Sequence, residues 1–324
     1  MTTDKLYLRH LHSFNDLIPT HEATRAAFVA AALEKNRKAT PMVAEARDLK
    51  IKASHAKNPR DLLNIPDIRS ALITAASVSD KAGGHFSTDD ESAAIDVLIR
   101  EFLEPAGAQF VEELVYRFLL TRGDSLGGSM RNWIGKVAEQ RVARALVSSL
   151  TNAGIPFYWS DRTSKTWIKG TSENTGIEFT LNAISWMKND QPRTLFFNIK
   201  VPFLGKNVDF SLIKCGHRDF YKKKVRDSPK NMPEMYVALG ELKGGSDPAG
   251  GDEHWKTAGS ALIRIRKSFT ERGNPIKSFY IGAAIEKQMA EELWAELEAG
   301  SLDNAANLTN MDQLTSLCGW ICSI

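Results

Sequence analysis

The residue types best able to do chemistry in this chain stand together in Glu241-Leu-Lys243. The run before them, Met235-Tyr-Val-Ala-Leu-Gly240, reads as an apolar strand. On a strand, residues i and i+2 point to one face, so a carboxylate and an ammonium become neighbours at its end. Asp209 lies in Asn207-Val-Asp-Phe-Ser-Leu212, whose alternation predicts an earlier strand. Two carboxylates on adjoining strands can share Mg²⁺ with a phosphate; the ion stabilises developing charge and lowers the pKa of a bound water. An ammonium beside them can orient or deprotonate that water and steady the phosphate. The expected chemistry is attack of water on a phosphate. Asp209 and Glu241 are the candidate metal ligands and Lys243 the catalytic cation.

By itself the triplet carries little. A second acidic-x-Lys triplet, Asp48-Leu-Lys50, lies in a helix-like context where i and i+2 do not share a face, and is set aside. Glu241 and Lys243 alone fit a surface ion pair worth ~0–1 kcal/mol; the strand bearing Asp209 turns the balance toward a site. The loop Gly244-Gly-Ser-Asp-Pro-Ala-Gly-Gly251 admits unusual backbone angles and close approach to a ligand, or is an ordinary strand-to-helix connection. Asp247 within it would be repelled by phosphate. It is useful for accepting from cytosine N4 or for holding a metal or a basic neighbour. His254 falls just inside a helix with Asp252 as the expected N-cap, where the dipole disfavours protonation and free amides favour an anion. It is a candidate to meet a base, a phosphate or the attacking water, against a purely structural role. Glu139, in Gly135-Lys-Val-Ala-Glu-Gln-Arg141, is a candidate further carboxylate, though a solvated helix face is the preferred reading.

These side chains need a sheet to position them. Residues 1 to about 128 read as helical, over Thr24–Asn36, Asp96–Leu103 and Phe110–Thr121. Turn chemistry predicts breaks at Thr40-Pro41, Asn64-Ile-Pro66, Lys81-Ala-Gly-Gly84 and Asp124-Ser-Leu-Gly-Gly128. No strongly alternating strand appears before residue 150. A helix over Met130–Leu150 follows, then a short strand at Pro156–Trp159. Thr194–Val201 and Asn207–Ile213 form a hairpin around Pro202-Phe-Leu-Gly205. Beyond the Met235–Lys243 strand come a helix at Glu253–Phe269, a strand at Phe279–Ile285 and a helix at Glu286–Leu297. The first of these helices has Trp255, Ala258, Leu262, Ile265 and Phe269 on one face. The expected class is α+β: a mostly helical region over 1–128, then a core over 129–324 with a mixed sheet flanked by helices.

The chain has 324 residues, room for one or two domains, with 43% hydrophobic and 25% charged residues as in ordinary globular proteins. Its net charge is only +3, but Lys200–Lys230 holds nine Lys or Arg against three Asp, either a phosphate footprint or a solvated face. Cys215, Cys318 and Cys322 form neither a disulfide framework nor a zinc pattern, and the last two read as packed thiols. The opening Met-Thr-Thr-Asp-Lys lacks the apolar core of a signal peptide, and Ala26–Leu33 is too short to span a bilayer. The expectation is a cytoplasmic protein with no membrane partner.

The segment Glu241-Leu-Lys-Gly-Gly-Ser-Asp-Pro-Ala-Gly-Gly-Asp-Glu-His-Trp-Lys256 resembles the AvaI/BsoBI family of type II restriction endonucleases, within the PD-(D/E)xK nucleases. The likeness extends over nearly the whole length, through Leu33-Glu-Lys-Asn-Arg37, Asp61-Leu-Leu-Asn-Ile65, Val78-Ser-Asp-Lys81 and Thr121-Arg-Gly-Asp-Ser-Leu-Gly-Gly-Ser-Met130. Val208 stands where the motif often has Pro, which leaves the metal ligand intact. The resemblance implies a homodimer encircling duplex DNA through a helical DNA-embracing and dimerisation region. It implies Mg²⁺-dependent cleavage of the degenerate palindrome CYCGRG with 5′ overhangs. Carried over, Asp209 and Glu241 hold the metal and Lys243 is catalytic. His254 serves the active site and base edges. Lys81, Lys206 and Asp247 contact bases, with Arg37 matching an N-terminal base-contacting arginine. A cognate DNA methyltransferase is implied as a functional partner, in a prokaryotic cytoplasm. The competing readings are a structure-specific repair or recombination nuclease on the same core, and a DNA-binding module that no longer cleaves.

Overall fold

The computed structural model describes residues 5–171, 175–220 and 228–324. The chain forms two compact units: Val29–Trp133, and residues 5–28 together with Ile134–Ile324.

The helical unit holds most of α1 (His21–Ala53), then α2 (Arg69–Ala75), α3 (Asp80–Gly83), α4 (Thr88–Leu98) and the first half of α5 (Phe110–Asn152). Its core is built from Leu49, Leu62, Leu72, Ile95, Leu103 and Leu114. Ser87 and Asp90 form a capping box that starts α4, satisfying amides the helix itself leaves unpaired. Lys38 Nζ reaches Ser129 Oγ at 3.4 Å, and Arg122 pairs with Glu45 at 3.0 Å, so α1 and α5 are tied within this unit.

Two expected breaks are absent. Pro41 sits inside α1, and Asp124–Gly128 inside α5. Glycine costs a helix about 1 kcal/mol per residue, but Leu126 and Met130 are buried one turn apart on α5, and that packing carries the helix through Gly123, Gly127 and Gly128. Local propensity loses to burial here.

The second unit is built on an eight-stranded sheet. The strands are β1 (Phe157–Asp161), β2 (Trp167–Lys169), β3 (Leu181–Lys188), β4 (Gln191–Val201), β5 (Lys206–Ile213), β6 (Tyr236–Lys243), β7 (Lys277–Gly282) and β8 (Asn304–Asn307). Their order is β2-β1-β3-β4-β5-β6-β7-β8. Pairing is antiparallel as far as β6, and β6–β7–β8 are parallel. Parallel neighbours need crossover connections. After the short α6 (Ile177–Thr180), α7 (Gly251–Thr270) and α8 (Lys287–Glu298) supply them, and α9 (Met311–Ser323) ends the chain.

Alternation along β6 sorts the core. Ala238 joins the cluster covered by Val142, Leu146 and Leu150 of α5 and Leu314, Leu317 and Ile321 of α9. Leu239 faces the other way, toward Ile265 and Phe269 of α7. Residues 5–28 belong to this unit: Tyr7, Leu11 and Leu17 pack with α8 and β8, and Asn307 Nδ2 donates to Leu17 O at 2.8 Å. The three cysteines are buried and free, as packed thiols should be. Among the described residues, no helix is long and apolar enough to cross a membrane.

Candidate active site

Phe210 pairs with Gly240 across β5 and β6, so the next residues toward the strand ends, Asp209 and Glu241, are neighbours. The Leu242 N–H donates to Asp209 Oδ2 at 2.7 Å, fixing that carboxylate against β6. Glu241 is only 6% exposed, and Lys243 Nζ stands 3.6 Å from its Oε2. The sequence brings these three together as expected.

Two glycines make the arrangement possible. Phe210 and Phe279 stack at 5.7 Å from the strands on either side of β6. A Cβ on Gly240 would lie 2.3 Å from the Phe279 ring. At the end of β6, a Cβ on Gly244 would lie 2.5 Å from Ala138 Cβ and 3.1 Å from Ile134 O. The glycine-rich loop therefore leaves the strand pressed against α5.

Burial pushes the Glu241 carboxyl up to about 7; the Asp209 charge adds to this, while Lys243 and Arg264 oppose it. Asp209 is also raised, first by burial, against the Leu242 amide and Lys243. Two desolvated carboxylates resist ionising together. A doubly charged cation between them reverses that balance. The donors are all hard oxygens, the set that suits Mg²⁺ or a similar ion, which is commonly held by one or two carboxylates plus water and phosphate. No group of three or more His, Cys, Asp or Glu with ligand geometry occurs among the described residues, so the fit is to such a sparsely held ion.

Glu139 is not on a freely solvated face. Arg162 pairs with it while donating to Leu181 O at 3.1 Å. Burial raises Glu139, with Arg162 opposing and the Asp209 charge adding, so it lies within electrostatic reach of the site. The signal was its place next to Ala138 in the buried stripe Ala138-Val142-Leu146. Sequence reasoning missed Arg162 and Arg264, whose contacts depend on strand order and helix placement.

Asp247 is exposed, and its Oδ1 accepts from Ala249 N at 3.0 Å, capping the turn Pro248–Gly250. That turn leads directly into α7, which starts at Gly251. Gly250, with no side-chain bond, is its N-cap, not Asp252. Proline fixes φ near the helical value, which lets the turn feed the helix without a side-chain cap. Lys206 is exposed at the start of β5. Arg37 lies on α1 in the helical unit, with its side chain 71% exposed and forked onto Glu34 at 2.6 and 2.7 Å. The backbones of Lys81 and His254 lie in α3 and α7, and their side chains fall outside the described residues, as do positions 221–227 of the basic run.

An α+β chain with Asp209 beside Glu241-Leu-Lys243 on adjoining interior strands of its sheet has the form of a phosphodiester hydrolase. Comparison narrows the class. The family model described as Restriction endonuclease BsobI matches residues 7–324. Type II restriction enzyme AvaI of Nostoc sp. is 51% identical over 97% of this chain and 98% of its own length. Type II restriction enzyme BsoBI of Geobacillus stearothermophilus is 49% identical over 100% of both. The chain belongs to the BsobI restriction endonuclease family and is a type II site-specific deoxyribonuclease. Enzymes of this class bind duplex DNA and generally need a divalent metal ion.

Proposed function

We propose that the enzyme hydrolyses both strands of duplex DNA at the degenerate palindrome CYCGRG, with Mg²⁺ as its metal and 5′ overhangs as its product ends. The observation that carries the chemistry is the buried Asp209–Glu241 pair with Lys243 Nζ 3.6 Å from Glu241. A bound divalent ion would supply Lewis-acid stabilisation of charge on the phosphate and lower the pKa of water. Asp209 and Glu241 would hold it. The Asp209 carboxylate is already oriented by the Leu242 amide, so it needs little reorganisation. Lys243, with three donors on a flexible stem, holds the phosphate oxygen or orients the attacking water. His254, at the start of α7, joins that water or a base edge.

Base reading falls to Lys81, Lys206, Asp247, His254 and Arg37. A purine always offers N7 in the major groove, so a lysine aimed there accepts both purines and rejects pyrimidines. Lys81 is assigned that contact at the degenerate position. Asp247, an acceptor, suits an exocyclic amine. A palindrome is most simply read by a twofold dimer with one site per subunit. In this reading residues 1–128 embrace DNA and dimerise, 129–324 cleave, and a cognate methyltransferase protects the host in the same prokaryotic cytoplasm.

The test is a plasmid digest with Mg²⁺, mapping both ends, on the wild type and on Asp209→Ala, Glu241→Ala and Lys243→Ala. Discrete bands ending in CYCGRG are expected from the wild type. Each variant should lose nearly all cleavage while still binding cognate duplex in Ca²⁺. Full cleavage by any one variant rejects the site, and ends mapping elsewhere reject the sequence.

A further inference from the structure

Tyr280 is fully buried on β7, and its Oη has no hydrogen-bond partner. Buried hydroxyls are nearly always partnered, so an orphan beside reacting groups calls for a partner in the working state.

Four features aim it at Glu241. β6 and β7 pair in parallel with Glu241 opposite Tyr280. Side chains opposite one another in register share a face of the sheet, here the face packed by Trp255 and Leu262 of α7. Next, Gly282 lies two residues further along β7, and a Cβ there would fall 2.7 Å from the phenolic oxygen. The ring thus leans along its strand toward the end where Gly282 pairs with Lys243. Third, Trp255 meets the Tyr280 ring edge-on at 5.4 Å, while its own Nε1 donates to Glu292 Oε2 at 2.6 Å. It holds the ring and offers the hydroxyl nothing. Last, the charges of Glu241 and Asp209 both act on the phenol.

We propose that Tyr280 is a positioning residue for Glu241: in the working site its O–H donates to one carboxylate oxygen and leaves the other for the cation. The proposal rests on the metal-site reading above. Removing an outer hydrogen bond from a ligating carboxylate typically costs roughly 10–100-fold in metal affinity or rate.

Tyr280→Phe keeps the ring and its contact with Trp255. The Kd for Mn²⁺ on the DNA-free protein, by calorimetry, should rise about 10-fold or more, and the Mg²⁺ concentration for half-maximal cleavage should rise with it. The single-turnover rate at fixed Mg²⁺ should fall, whereas cognate duplex affinity in saturating Ca²⁺ and the melting temperature of the metal-free protein should hold. A lower melting temperature with unchanged metal midpoints would assign the hydroxyl to the fold and overturn the proposal. Wild-type behaviour in every assay would also overturn it. Glu241→Gln run alongside separates the two ideas. If it cleaves at full rate, the metal-site reading itself has failed; if it is inactive while Tyr280→Phe is normal, only the Tyr280 assignment has.

Discussion

Glu241→Gln should make the metal-free protein more stable at high pH than the wild type. The carboxyl has an ordinary value of 4.5 in the unfolded chain and is pushed up to about 7 on folding, first by burial and then by Asp209. A carboxyl whose pKa rises on folding binds its proton more tightly in the folded state. Its stabilising contribution is therefore complete below about pH 4.5 and is lost as pH climbs through about 7. At about 1.4 kcal/mol for each factor of ten in proton affinity, the loss is about 3 kcal/mol. Glutamine fills the same space and stays neutral at every pH. The two proteins should unfold alike at pH 4 in EDTA. By pH 9 the variant should melt higher by about 6–12 °C, taking roughly 2–4 °C per kcal/mol. Mg²⁺ should restore the wild type at pH 9 and leave the variant unmoved, because the ion favours the charged carboxylate. Melting curves measured every pH unit from 4 to 9 decide it. Parallel pH profiles for the two proteins would refute the claim that Glu241 is held against its charge.

Gly240→Ala would drive a methyl into the Phe279 ring, 2.3 Å away, and should cost about 1–3 kcal/mol in urea unfolding; an unchanged midpoint would mean the Phe210–Phe279 stack is not constrained there. Asp247→Asn keeps the oxygen that caps Ala249 but removes the charge, whereas Asp247→Ala removes both. Cleavage rates on duplexes differing only at the degenerate base pair should change in both variants, and a wild-type profile in both would return Asp247 to a turn-capping role alone.

Much of the site was legible because period 2 carries over directly to structure. Asp209, Glu241 and Lys243 lay on two apolar runs, and a strand admits only one arrangement of faces. The stripe Trp255-Ala258-Leu262-Ile265-Phe269 was equally plain, and all five residues are buried. β8 was not legible: Asn304-Ala-Ala-Asn307 looks like a polar loop, yet it is fully buried because Asn307 is satisfied by Leu17 O and by Thr309. Those partners are nearly 300 residues away or behind a turn, and no local pattern announces them. Tyr280 was missed for the same reason, and Glu139, named as a candidate, was read as lying on a solvated face. Each looks unremarkable on its own element, and its neighbours are set by strand order and by the approach of α5 to Gly244.

The helical unit is threaded between two stretches of the sheet unit, leaving it after Phe28 and returning at Ile134. Were that insertion unfolded, the sheet unit would have to close a floppy loop of roughly 100 residues, at an entropic cost of about 4 kcal/mol. Folded, with α1 and α5 tied by Lys38–Ser129 and Glu45–Arg122, the insertion holds its own exits and removes most of that loss. The two units are thus linked in stability through the path of the chain itself. A lesion that unfolds the helical core would return that closure cost to the sheet unit and so lower the stability of the unit that holds Asp209 and Glu241.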